Sequence, residues 1–249
     1  MTTYSRTDEL AGARIAWSSL RGARIRCSDV RDVTMRGVDV DGLDIDSHDL
    51  FLGRLLVNGV DVVPLVDAEL DRQLPGRALQ RSRTPEGLRE GWVAVRAAWH
   101  ETVAGTPPEL VDAHVEDEWS LAQTLRHLVL ATDAWVRGGI QRVDQPFHEI
   151  GQVFTGAADM GFETSVFRAD PPAYDEVLEV RAERQQLVTD LLATATPELL
   201  AEERDDPWGS DWHPTVGDCV RVVLEEEWAH LRYVRRDLAL LGPGPAAPG

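Results

Sequence analysis

Two hydrophobic periods divide the chain. Through the first seventy residues an apolar side chain recurs at every fifth position: Leu10, Ile15, Leu20, Ile25, Val30, Met35, Val40, Ile45, Leu50, Leu55, Val60, Leu65 and Leu70. Helices repeat every 3.6 residues and strands every 2, so neither accounts for a period of five. A small residue often stands two positions earlier, as at Ala13, Ser18, Ala23 and Ser28. The pattern weakens after Leu55, where Gly59, Pro64 and a run of valines intrude. Beyond residue 84 the spacing becomes helical. Thr84-Pro85-Glu86 opens a first helix that reaches about Val103, with Leu88, Trp92, Val95 and Trp99 on its apolar face. Proline suits that first turn, where its missing N–H is not needed. A second helix is predicted over about Leu121–Arg137. A third runs from near Pro172 to about Ala195, with Val177, Val180, Leu187 and Leu191 as its stripe. The fourth begins after Thr215, where Thr215 and Asp218 have the spacing of a capping box, and ends before Gly242-Pro243-Gly244-Pro245. Residues 138–170, rich in glycine and aromatics, read as loop with short helical pieces. Four long helices predict a bundle.

The five-residue blocks RGARI (21–25), RCSDV (26–30), RGVDV (36–40) and DGLDI (41–45) resemble those of pentapeptide-repeat proteins. That resemblance implies a right-handed, four-sided β-helix with one block per side and the five-fold side chains stacked inward, each coil covering the next. The blocks suffice for roughly three coils. The expected organisation is therefore mixed: a short β-solenoid over 1–72, a linker over 73–84, an all-α four-helix bundle over 85–241, and a disordered tail over 242–249.

Composition narrows the function classes. The chain has 249 residues, 43% of them hydrophobic, enough for one large or two small cores. No apolar run has membrane-spanning length, and MTTYSRTDEL holds no signal-peptide core, so a cytoplasmic protein is expected. Cys27 and Cys219 fall in different predicted domains and are expected to stay reduced. All 25 basic residues are arginine, a usage that resembles high-GC, actinobacterial genomes. With no lysine, Schiff-base and P-loop lysine chemistry are excluded. Net charge is −18: residues 1–80 hold 10 Arg against 13 acids (−3), the remainder 15 against 30 (−15). Such acidity repels nucleic acid and anionic membrane, leaving a small molecule as the expected partner.

Candidate chemistry gathers on two helices. LEEEWAH (224–230) places three carboxylates, a tryptophan and a histidine in an otherwise apolar helix. Positions 223, 226 and 230 share a face, so Glu226 or Glu227 can converge with His230, while Glu225 points elsewhere. The second helix offers His127, flanked by Leu125, Leu128, Val129 and Leu130. Two imidazoles and one carboxylate inside a bundle suit a divalent metal with positions left for water or substrate. Cys219 lies on the same stripe, but eleven residues at about 1.5 Å each put it about 16 Å from His230, and it reads as core. His213 is a candidate for the pocket mouth and His148, with Phe147, for a lid. Arg181 and Arg184 could hold an anionic substrate or form surface ion pairs with Glu179 and Glu183. His100 and His114 read as peripheral. No glycine-rich phosphate loop, Cys-x-x-Cys pair or serine elbow is present.

EWSLAQTLRHLVLATDAWV (118–136) and CVRVVLEEEWAHLRYVRRDL (219–238) together resemble the DinB-like superfamily, over about residues 85–241. The resemblance implies a four-helix bundle holding a divalent metal, zinc, nickel or iron, through one histidine on the second helix and a pair on the last. His127 matches the first position and His230 the last. Glu226 occupies the middle position, where many members carry histidine; a carboxylate there changes the charge and metal preference of the site. Glu227 is either the alternative ligand or a supporting partner, and Trp228 should pack on a neighbouring helix. Characterised relatives include thiol S-transferases and isomerases that use bacillithiol, mycothiol or glutathione. The resemblance thus implies a metal-dependent transferase or isomerase, with mycothiol as the cosubstrate of an actinobacterial member. Metal-assisted hydrolysis is a further enzyme reading. The alternative is a pentapeptide-repeat interaction protein carrying a metal-free, small-molecule-binding bundle. A nearly neutral segment of about three coils does not suit DNA mimicry, so the repeat is expected to mediate a homodimer or cover the bundle.

Overall fold

The computed structural model describes residues 10–26, 28–47, 53–154, 157–158 and 162–242. Cys27, Leu50 and the expected tail after Gly242 lie outside them. The chain divides into two compact units, residues 1–46 and 47–249.

In the first unit the five-residue period appears in the backbone. Turns recur at 11–12, 21–22, 31–32 and 41–42, each closed by a hydrogen bond such as Ala23 N to Leu20 O (2.8 Å) or Leu43 N to Val40 O (2.9 Å). Positive φ falls at Gly12, Trp17, Gly22, Asp32, Gly37 and Gly42, on the same five-residue register. Trp17 and Asp32 adopt a left-handed conformation that glycine accepts more readily. The expected inward stacking is not present among the described residues. Leu10, Ile15, Leu20, Ile25, Val30, Met35, Val40 and Ile45 are 51–69% exposed, and among the described residues no strand forms before Leu56. The turn bonds are local, and local turns bury nothing until successive coils stack.

The second unit begins with a two-stranded hairpin, β1 (Leu56–Val57) and β2 (Val60–Asp61), closed by Asn58 and Gly59 at positive φ. Asn-Gly is the pair this tight turn favours. Helix α1 (Val63–Gln73) follows. Leu65 and Leu70, the last members of the five-fold series, therefore sit on a helix. Where the sequence reads as a linker, Arg77–Arg81 forms a 3-10 turn with Arg77 and Gln80 buried. Arg77 bonds Asp67 (2.8 Å) and Asp71 (2.6 Å) of α1. Two charged partners make burial of the guanidinium tolerable.

Four long helices then form the bundle. α2 spans Pro85–Gly105, α3 Leu121–Thr132, α4 Tyr174–Thr194 and α6 Val216–Leu241, with the short α5 (Pro197–Leu200) before the last. α2 packs on α4 and α6, and α3 packs on the same two. The helix starts follow the local caps. Thr84 Oγ1 accepts from Gly87 N, and Ser120–Gln123 and Thr215–Asp218 make reciprocal capping boxes. The four apolar positions expected on α2 are all buried. On α4, Val177 and Val180 are buried, but the stripe continues through Val188 and Leu192, with Leu187 and Leu191 only half-buried. The expected second helix changes character at Asp133. Residues Asp133–Ile140 widen into a π-helix, seen in the bond from Gln141 N to Val136 O (2.8 Å). Gly139 of this segment lies against Cys219. No described helix is long and apolar enough to cross a membrane.

Candidate metal centre

The site lies where α3 faces α6. His127 is two turns into α3, on the edge of the face that buries Leu125 and Leu128. Glu226 and His230 stand one turn apart on α6, flanked by buried Val223 and Leu231. One nitrogen or oxygen from each of the three residues lies within 4.8 Å of the others. Glu226 Oε2 is central, 3.3 Å from His127 Nε2 and 3.2 Å from His230 Nε2. Trp119, just before α3, lies 4.8 Å from the His127 ring and stacks on His230 at 5.9 Å. Tyr233 meets His230 edge-on. These rings wall the site and restrict the imidazole orientations.

Hydrogen-bond chemistry tests whether a cation fits. His127 Nδ1 lies 3.1 Å from the carbonyl oxygen of Gln152. A carbonyl only accepts, so Nδ1 carries the proton. In neutral His127 the lone pair is then on Nε2, facing the carboxylate of Glu226. Two acceptors in contact are unfavourable, and a cation or proton between them removes the conflict. Burial pushes His230 below the ordinary imidazole pKa; the Glu226 hydrogen bond opposes this, and the charge of His127 adds to the lowering. Burial tends to raise the pKa of Glu226, but its hydrogen bonds to His127 and His230, with their charges, hold it well below the usual carboxylate value. Replacing the protons held between these groups by a cation would leave the anionic carboxylate and neutral imidazoles that metal binding needs. The Gln152 carbonyl supplies the outer partner that orients a ligating histidine. The donor set fits a divalent metal.

The remaining candidates are placed elsewhere. Glu227 turns into the bundle, is only 1% exposed, and accepts both its ion-pair bonds from Arg181. Burial raises its pKa, while Arg181 opposes that shift. Glu227 is thus a partner of Arg181 behind the three-residue cluster, and Arg181 is neither a surface pair nor turned to the metal face. Arg184 bonds buried Asp133 through Nε (2.6 Å). Asp133 also accepts from His148 N (2.8 Å), tying the central loop to the π-helix through backbone. The His148 ring accepts from Ile150 N at 3.4 Å. His213 is exposed, 3.7 Å from Asp205. Glu225 is exposed, as its helical position implies, and Trp228 is buried near Gly76. Cys219 is buried in the core, and burial pushes its thiol up to about 11.

Three participants were not singled out from the sequence. Trp119 lies eight positions before His127, outside the helix, so helical periodicity does not bring them together. The Gln152 carbonyl leaves no signal in side-chain identity. Asp133 did have one: it is an acid inside the apolar run LVLATDAWV.

No curated protein and no solved structure matches the chain. Residues 92–234, more than half of the sequence, match the family model of the DinB superfamily, and that span contains α3, most of α6 and all three members of the cluster. With its helical bundle and this matching span, the chain belongs to the DinB superfamily.

Proposed function

We propose that the protein is a metal-dependent enzyme of this superfamily, a thiol S-transferase or related isomerase acting on a small molecule, with a mycothiol-type thiol as cosubstrate. The observation that carries the reading is the convergence of His127 Nε2, Glu226 Oε2 and His230 Nε2 in one half-buried cluster. These residues would hold zinc, nickel or iron. A divalent cation there would lower the pKa of a thiol or water brought to it and so supply a nucleophile near neutral pH. The protein's own contribution is orientation and shielding. Gln152 O keeps the His127 proton on Nδ1, Trp119 covers both imidazoles, and the single carboxylate limits the net charge of the site. Two histidines and one acid leave coordination positions for a substrate.

The N-terminal segment is read as a pentapeptide-repeat element that serves association of two copies. Its support is the five-residue recurrence of positive φ and the row of half-exposed apolar side chains.

Elemental analysis of protein purified without a histidine tag tests the metal, and turnover of candidate electrophiles with and without a low-molecular-weight thiol tests the reaction. The expected result is about one divalent ion per chain and activity that requires the thiol. Equal turnover without thiol would remove the transferase reading and favour metal-assisted hydrolysis. Absence of metal, with no gain in melting temperature on adding zinc, nickel or iron, would favour a metal-free ligand-binding bundle.

A further inference from the structure

Gln152 belongs to two places at once. Its carbonyl orients His127, and the residue also lines a cleft of about 300 Å³ with Gln123, Arg126, Phe167 and Arg168. That volume is at the small end of small-molecule sites. Arg126 precedes His127 on α3. Its Nε donates to the Ile150 carbonyl (2.7 Å), which fixes the base of the guanidinium, and among the described residues no carboxylate pairs with it. In a chain with 43 acids and 25 arginines, a half-buried arginine without an acid is unexpected. Arg168 also lines the cleft; it bonds Glu176 (2.6 Å) and lies 3.6 Å from Glu149, while its buried Nε has no partner among the described residues. Gln123 and Gln152 add amide groups, and Phe167 adds an apolar wall continuous with Phe147.

We infer that this cleft binds the oxyanion, carboxylate or phosphate, of a small molecule, with the guanidinium of Arg126 as its principal partner. Arginine's planar donor fork suits either group. The meaning for catalysis rests on the enzyme reading above: the anionic end of the substrate would be held beside the segment that orients His127. Oxyanion binding itself does not depend on that reading.

Calorimetric titration of metal-free protein with succinate, with inorganic phosphate and with neutral succinamide tests the site where no cation can recruit the anion. Saturable binding of succinate or phosphate, at least about tenfold tighter than succinamide, supports the inference; the tighter of the two identifies the oxyanion. Arg126→Gln should weaken that binding at least about tenfold, and zinc content on reloading should stay at the wild-type level. Arg126→Lys keeps the charge without the fork and should bind several-fold more weakly; it carries the test if the glutamine variant does not fold. No saturable anion binding to the wild type, or equal binding by wild type and Arg126→Lys together with Arg126→Gln, would overturn the site. A protein that binds anion but no metal would retain this inference and lose the enzyme reading.

Discussion

Glu226 and Glu227 are neighbours on α6 but meet different helices, α3 and α4. Glu226 Oε2 meets His127 and His230 in the half-buried cluster, whereas Glu227 is buried against Arg181 inside the bundle. A helix turns about 100° per residue, so adjacent side chains cannot share one site. The same geometry leaves Glu225 exposed. Three consecutive acids thus have a ligand geometry, an internal ion pair and a solvated position.

Glu226→Ala and His230→Ala should each reduce zinc affinity at least about a hundredfold, since changes even outside the ligand set of metal sites cost 10–100-fold. Glu225→Ala should leave it within about twofold. Competition titration with a chromogenic chelator measures all three. Equal losses at Glu225 and Glu226 would contradict the helical register.

Removing one member of the buried Arg181–Glu227 pair leaves the other charge without its partner. Arg181→Met should destabilise the fold by about 3–5 kcal/mol, and adding Glu227→Leu should recover most of that loss. Urea unfolding of the single and double variants decides it. A double variant no more stable than the single would mean that the pair contributes through its shape rather than its charge.

Cys219 gives an alkaline pH dependence. Its folded pKa is raised from 9.0 to about 11 by burial. The folded state therefore holds the proton more tightly than the unfolded state. The associated stability is fully present below pH 9 and is lost as pH rises through about 11, some 2–3 kcal/mol at most for a shift of this size. Cys219→Ala should flatten the stability profile in that window. The native thiol should also resist alkylation at pH 8 and react once the chain is unfolded.

The Thr215–Asp218 capping box should be worth about 1 kcal/mol. Thr215→Ala should lower stability by that amount without changing zinc affinity, because the cap is about four turns from His230. A large loss of metal would show that the start of α6 and the cluster are coupled.

Truncation separates the two units. Removing residues 1–46 should leave a folded helical protein that binds zinc with wild-type affinity. Removing residues 1–75 should be far more damaging, because it deletes buried Val63 and Leu74 and takes Asp67 and Asp71 from buried Arg77. Circular dichroism and thermal melts compare the two. Equal stability of both truncations would show that α1 contributes nothing to the bundle.

What the sequence by itself determined is local. The starts of α2, α3 and α6 follow from Thr84, Ser120 and Thr215, because a cap is a contact over three residues. The apolar stripe of α2 follows from a period of 3.6, and the three members of the cluster follow from a one-turn spacing on α6 and a single histidine among leucines on α3. Tertiary structure decided the rest. The choice of Glu226 over Glu227 depends on how α6 is rotated against α3 and α4. The partners of Arg181 and Arg184 lie 46 and 51 residues away in the chain. The π-helix after Thr132, the Gln152 carbonyl and the cleft beside Arg126 arise only when the central loop packs on α3. The five-fold period set the turns of residues 10–46, since each turn closes within four residues, but burial of its apolar side chains requires coil against coil. Interactions within about one turn of chain are written in order along the sequence. Those between elements depend on rotation and packing, which no linear spacing specifies.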